Sequence, residues 1–159
     1  AALSEITGDR GYLTQGEAIA AATLRGLAPD GILAEPCESG AACSEDQAQF
    51  KGIFIRYLSD FGRHSHRPGY RGFILANADS VWDHARNAPP QSAASPLSAL
   101  PLSALPRSGP PQSALPQSGL SRSGPPEFGL HWVGPFDQAT PARQTSALDA
   151  LIAAATLAP

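Results

Sequence analysis

The sequence has no methionine and one lysine, Lys51, beside ten arginines scattered along the chain. Without a methionine it carries no translation start. Its opening, Ala1-Ala2-Leu3-Ser4-Glu5-Ile6, reads as the tail of a helix, so we expect a truncated chain. A formal net charge of -3 with dispersed arginines leaves no basic patch for nucleic acid and no polybasic stretch for an anionic membrane. No apolar run reaches the ~20 residues that a membrane span needs. Two cysteines, Cys37 and Cys43, are too few for a tetrahedral zinc site. His64-x-His66 in a turn is too small a ligand set to mark a metal, so we expect no metal and no cofactor. There is no internal repeat of about 30–45 residues, which excludes a helical solenoid.

What the sequence does have is concentrated between Cys37 and Phe61. Ser44 followed by Gln47 is a capping-box pattern, with Glu45 and Asp46 placed to meet the positive end of a helix dipole. Phe50, Ile53, Phe54, Tyr57, Leu58 and Phe61 then recur at steps of three and one, which predicts one apolar helical face turned to the core. Gly62 is expected to stop that helix. The two cysteines bracket a short loop just upstream. From the residues alone they are either a disulfide, closing about seven residues and stabilising by roughly 2–3 kcal/mol, or two free thiols.

Three further helices are expected. Thr14-Gln15-Gly16-Glu17 is a second capping box, followed by Ala20, Leu24 and Leu27 at helical steps and ended by Pro29. A third helix should run from about Tyr70 to Arg86, with Phe73, Ile74, Asn77, Ala78, Val81, Trp82 and Ala85 on one face. Asn77 lies on that apolar stripe, so it should be buried and hydrogen-bonded, joining helix to loop. The last helix has Thr140 as N-cap and Pro141 in first position, with Leu148, Leu151, Ile152 and Ala155 as its stripe. Between them, residues 128–136 form an irregular aromatic segment, either a platform for sugar rings or a plug on the helical core. Asp79, Asp83 and His84 lie together on the third helix and read best as a solvated polar face.

From Pro96 the composition changes to tandem pentads: PLSAL, PLSAL, PRSGP, PQSAL, PQSGL, SRSGP. Ten of the sixteen prolines fall between Ala88 and Glu127. With no apolar face at either period, residues 88–127 are expected to be a disordered low-complexity insertion. Lengthening a loop costs only about 0.6 kcal/mol per doubling, so a fold can carry it.

Four groups of residues, in order, resemble the C-terminal half of glycoside hydrolase family 76, the α-1,6-mannanases. They are Gly31-Ile32-Leu33 with Glu35-Pro36-Cys37-Glu38; Cys43 with Asp46-Gln47, Gln49 and Phe50-Lys51-Gly52-Ile53-Phe54; Asn77-Ala78-Asp79-Ser80-Val81-Trp82; and Phe128 to Phe136. The resemblance implies an all-α fold, part of an (α/α)6 barrel in which about four helices supply a third of twelve. Residues 1–159 would be the C-terminal part of a single catalytic domain interrupted at 88–127, with the missing N-terminal half of the barrel as partner. It favours the Cys37–Cys43 disulfide and a secreted or cell-surface location. It implies a mannan-type polysaccharide or oligosaccharide as substrate. Asp46, Gln49 and Lys51 become candidate substrate contacts, with Glu35, Glu38 and Trp132 as weaker ones. For Asp46 a plain helix cap competes with that role, and for Lys51 a surface charge.

Retaining glycosidases need two carboxylates about 5–5.5 Å apart across the scissile bond. In the family an adjacent aspartate pair supplies them, and this chain contains no Asp-Asp. Two functions follow. The chain is a groove-bearing C-terminal part of an α-1,6-mannan hydrolase without catalytic residues of its own, or it is a non-catalytic helical carbohydrate-binding fragment.

Overall fold

The structure, a computed structural model, describes residues 1–40, 42–65, 67–87 and 125–157. The expected insertion therefore lies, apart from residues 125–127, outside the described residues, as does His66. Among the described residues there are five α-helices and no strand: α1 Ala2–Thr7, α2 Gly11–Leu27, α3 Phe50–Ser65, α4 Pro68–His84 and α5 Pro141–Ala155. Two single 3-10 turns, Pro36–Ser39 and Gln47–Gln49, lie in the long α2–α3 connection. The all-α class holds, and α1 is the helical opening expected from the first residues. No helix among the described residues is long and apolar enough to cross a membrane.

The expected capping signals are met unevenly. Ser44 and Gln47 do form their reciprocal pair: Ser44 N–H donates to Gln47 Oε1 at 2.9 Å, and Gln47 N–H to Ser44 Oγ at 3.3 Å. They cap the 3-10 turn, and α-helix proper begins at Phe50. Thr14 is not a cap. α2 starts three residues earlier, where Asp9 Oδ1 accepts the Gly11 N–H at 2.7 Å. Glu17, the other half of that expected box, instead grips Arg67 ahead of α4 through two hydrogen bonds of 3.0 and 2.6 Å. Gly62 does not end α3, which runs on to Ser65. No positive φ is needed at Gly62, so nothing there breaks the helix. Thr140 caps α5 as expected, accepting from Arg143 N–H, with Pro141 in the first position.

The larger correction concerns which faces are buried. On α3 the buried side is Lys51, Gly52, Ile55, Leu58 and Ser59, while Phe50 and Tyr57 of the expected stripe are exposed, Tyr57 by 60%. On α5 the buried side is Ala142, Ser146, Ala147, Ala150 and Ala153, while Leu148 and Ile152 face outward, Ile152 by 60%. The two helices meet through their small residues. A Cβ on Gly52 would overlap Ser146 Cα and its carbonyl, and Gly52 N–H donates to Ser146 Oγ at 3.1 Å. Close approach outweighed bulk in setting the rotation of both helices.

α4 packs beside them through Ile74, Ala78 and Val81, with Ala85 buried at its C-terminal cap. Trp82, expected on that face, is 43% exposed, with the Arg86 guanidinium stacked over its ring at 4.2 Å. Asn77 is fully buried and satisfied, as expected. Its Oδ1 accepts the Leu33 N–H at 2.8 Å, and its Nδ2 donates to Gly31 O at 3.0 Å and Phe73 O at 2.9 Å.

The Gly52–Ser146 contact yields a direct test. Gly52→Ala should destabilise the chain by about 1–3 kcal/mol through overpacking. Gly72→Ala, in α4 with open space around it, should stabilise by about 0.5–1 kcal/mol through helix propensity. Urea unfolding followed by circular dichroism measures both; equal effects would contradict the small-residue interface.

Candidate functional site

The α2–α3 connection and the segment 127–140 converge on the start of α3. At their meeting point lies Lys51, whose side chain is 2% exposed. Its ammonium donates to Glu38 Oε1 and to the Leu130 carbonyl, each at 2.5 Å, and sits 4.8 Å from the centre of the Trp132 ring. Glu38 reaches this position because the 3-10 turn Pro36–Ser39 carries its own capping box. Glu35 N–H donates to Glu38 Oε1 at 2.7 Å, and the Glu35 carboxylate caps the turn in return. Glu35 Oε1 also accepts the Lys51 backbone N–H at 2.6 Å, so one buried carboxylate serves both the turn and the first turn of α3.

Cys37 and Cys43 are joined as a disulfide across Cα atoms 5.2 Å apart, closing the loop that holds Glu38. The second oxygen of Glu38 meets His131 Nδ1 at 3.0 Å. Burial pushes the Lys51 pKa down, against the pull of the Glu38 and Glu35 charges. Burial pushes the Glu35 carboxyl up, opposed by the Lys51 N–H and by its charge.

The aromatic segment is held just as closely. Phe128 N–H donates to Gln144 Oε1 at 2.5 Å, Gly129 N–H to Ala85 O at 2.8 Å, and Ser80 Oγ to the Trp132 carbonyl at 2.7 Å. Asp137 Oδ1 accepts the Leu130 N–H at 2.8 Å, and its Oδ2 takes Arg143 at 2.8 Å. A Cβ at position 129 would overlap Asp137 Oδ1, so the tight fold of this segment requires Gly129. Burial acts against the Asp137 charge. The N–H groups of Leu130 and Gln138 and the Arg143 guanidinium outweigh it and hold the carboxyl below its usual 3.8.

The candidate sugar-contacting residues thus divide. Lys51, Glu35 and Trp132 are buried and joined within the chain, so their side chains present no surface to a polymer. Lys51 is buried, not the surface charge that competed with its expected contact role, and Trp132 is buried beside it. Asp46 is exposed, and Gln49 is half-buried with Nε2 donating to Glu45 O at 3.2 Å. These two remain open to a ligand at the same end of α3. Sequence reasoning passed over His131 as an individual residue, although a histidine beside a buried tryptophan within the matched segment was a signal. Asp79, Asp83 and His84 are all exposed, in keeping with a solvated face. His64 Nε2 pairs with Glu5 at 2.7 Å, and no metal-binding group of three or more is present among the described residues.

The sequence profile of glycosyl hydrolase family 76 matches residues 1–94, more than half of the chain, and the chain belongs to that family. The crystal structure of the Lin0763 protein from Listeria innocua is similar, with a TM-score of 0.66 at 24% sequence identity. That likeness covers 98% of this chain and 33% of the Listeria protein, so this chain spans a third of its length. At that identity the likeness establishes the helical fold, here part of a helical barrel. No curated protein matches the chain.

Asp137 generates a pH prediction. Its folded pKa is lowered, so its contribution to stability is present above about 3.8 and is lost as pH falls through the folded value. Asp137→Asn should be less stable than wild type at neutral pH, and the gap should close on acidification below 3.8. Thermal melts across that range measure the gap; a constant difference would contradict the assignment.

Proposed function

We propose that this chain is the C-terminal part of a secreted glycoside hydrolase acting on α-1,6-linked mannan, in which it contributes part of the substrate groove. Family membership supports a carbohydrate substrate. The observation that carries the reading further is the convergence of two loops on the start of α3, where Asp46 is exposed and Gln49 half-buried just ahead of the hydrogen-bonded cluster of Lys51, Glu38 and Trp132. Groups that hold sugar hydroxyls work best when fixed in place beforehand. A carboxylate accepts two hydroxyl hydrogens, and an amide both accepts and donates.

The chain has no adjacent aspartate pair, so this reading assigns it binding and assigns bond cleavage to a catalytic pair elsewhere in the barrel. Residues 1–159 are then one part of a single domain that also carries the 88–127 insertion. The Cys37–Cys43 disulfide supports an oxidising, extracellular or cell-surface setting.

Calorimetric titration with an α-1,6-linked mannan oligosaccharide tests the reading, with chromatography of the sugar alongside. The expected result is binding without cleavage, with Asp46→Ala weakening it by roughly three- to tenfold, the worth of one or two hydrogen bonds. Absence of binding would contradict a groove role. Cleavage would contradict the assignment of the catalytic pair.

A further inference from the structure

We infer that His131 is a sugar-contacting residue, held by Glu38 so that its Nε2 presents a fixed hydrogen-bonding group to a ligand hydroxyl; this rests on the carbohydrate reading above. The Glu38 carboxylate is 8% exposed and already has an internal task on one oxygen, which takes the Lys51 ammonium and the Glu35 N–H. Its other oxygen holds His131 Nδ1, while the imidazole is 35% exposed. The arrangement anchors the ring through Nδ1 and leaves the imidazole partly exposed. Among the described residues Nε2 has no partner.

An ionised carboxylate on Nδ1 selects the tautomer with the proton there. Nε2 then offers a lone pair to a hydroxyl, or a proton when the ring is charged. The Lys51 ammonium engages one oxygen of Glu38, which leaves the other to orient the partly exposed imidazole.

The location agrees. Lys51, which shares the Glu38 carboxylate with His131, lies two residues from Gln49. His131 therefore belongs to the loop cluster that meets the start of α3. Ser80 and Asp137 hold the backbone on either side through the Trp132 carbonyl and the Leu130 N–H, so the ring stands on a segment anchored at both flanks.

Two conservative variants separate contact from support. Asn places its amide nitrogen where Nδ1 lies, so His131→Asn keeps the bond to Glu38 and loses the outward group. Gln reaches the position of Nε2, so His131→Gln keeps an outward group and loses the bond to Glu38. Titration of the 159-residue chain and its variants with an α-1,6-linked mannan oligosaccharide should show His131→Gln within about threefold of wild type. His131→Asn and His131→Ala should weaken binding roughly five- to tenfold, with unchanged circular dichroism.

In wild type the imidazole resonances of His131 should shift on addition of the oligosaccharide. Binding preserved by Asn and lost by Gln would mean His131 acts only by bracing Glu38. Equal binding by all variants, or imidazole signals unmoved by bound sugar, would overturn the contact while leaving the mannan reading in place. Failure of the wild type to bind would overturn both.

Discussion

The sole lysine of the chain is buried at the start of α3, and much of the surrounding loop structure is explained by that fact. A buried ammonium must have an opposite charge and hydrogen-bond acceptors. Glu38 supplies the charge and Leu130 the carbonyl, with the Trp132 ring alongside. To bring Glu38 there, the chain forms the 3-10 turn Pro36–Ser39, closes it with a Glu35–Glu38 capping box and pins it with the Cys37–Cys43 disulfide. To bring the Leu130 carbonyl there, it ties segment 127–137 to α4 and α5 through Ser80, Ala85, Gln144 and the Asp137–Arg143 pair. Four separate stretches of sequence are thus organised by one side chain.

The helices beneath obey a different rule. α3 and α5 approach through glycine, serine and alanine until Gly52 touches the Ser146 backbone, and Phe50, Tyr57, Leu148 and Ile152 are turned outward. Phe54, Tyr57 and Phe61, with the edge of the buried Leu58, line an open cavity of about 640 Å³ together with Gly16, Ile19 and Ala20 of α2 and the start of α1. The cost of exposing apolar rings is offset by packing density between the close-set helices, where many weak dispersion contacts add up.

Part of this was legible in the sequence. Asn77 on an apolar stripe announced a buried polar link, and two of its three hydrogen bonds join α4 to the loop at Gly31–Leu33, the third closing back on Phe73 O within the helix. Thr140-Pro141 announced the start of α5, and Ser44 with Gln47 announced a cap. The rotation of α3 was not legible, because hydrophobic periodicity weights large apolar residues and gives none to a glycine that admits another backbone. The α5 stripe failed for the same reason, with Leu148 and Ile152 outranking the alanines that pack. The burial of Lys51, offered as a substrate contact with a surface charge as the competing reading, was not legible because its partners lie thirteen residues upstream and seventy-nine downstream, and no local pattern joins such distances. Thr14 and Glu17 had the right spacing for a cap, but Arg67 engages Glu17 from a distant part of the chain.

The most direct test of this account is a double-mutant cycle between Lys51→Met and Glu38→Gln, measured by urea unfolding with a helical readout. If the buried pair organises the loops, Glu38→Gln alone should cost about 3–5 kcal/mol by stranding the lysine charge. The double variant should then recover most of that loss, for a coupling of at least about 2 kcal/mol. Effects that add to within about 0.5 kcal/mol would show that the two residues act independently, and would contradict the central place given to Lys51.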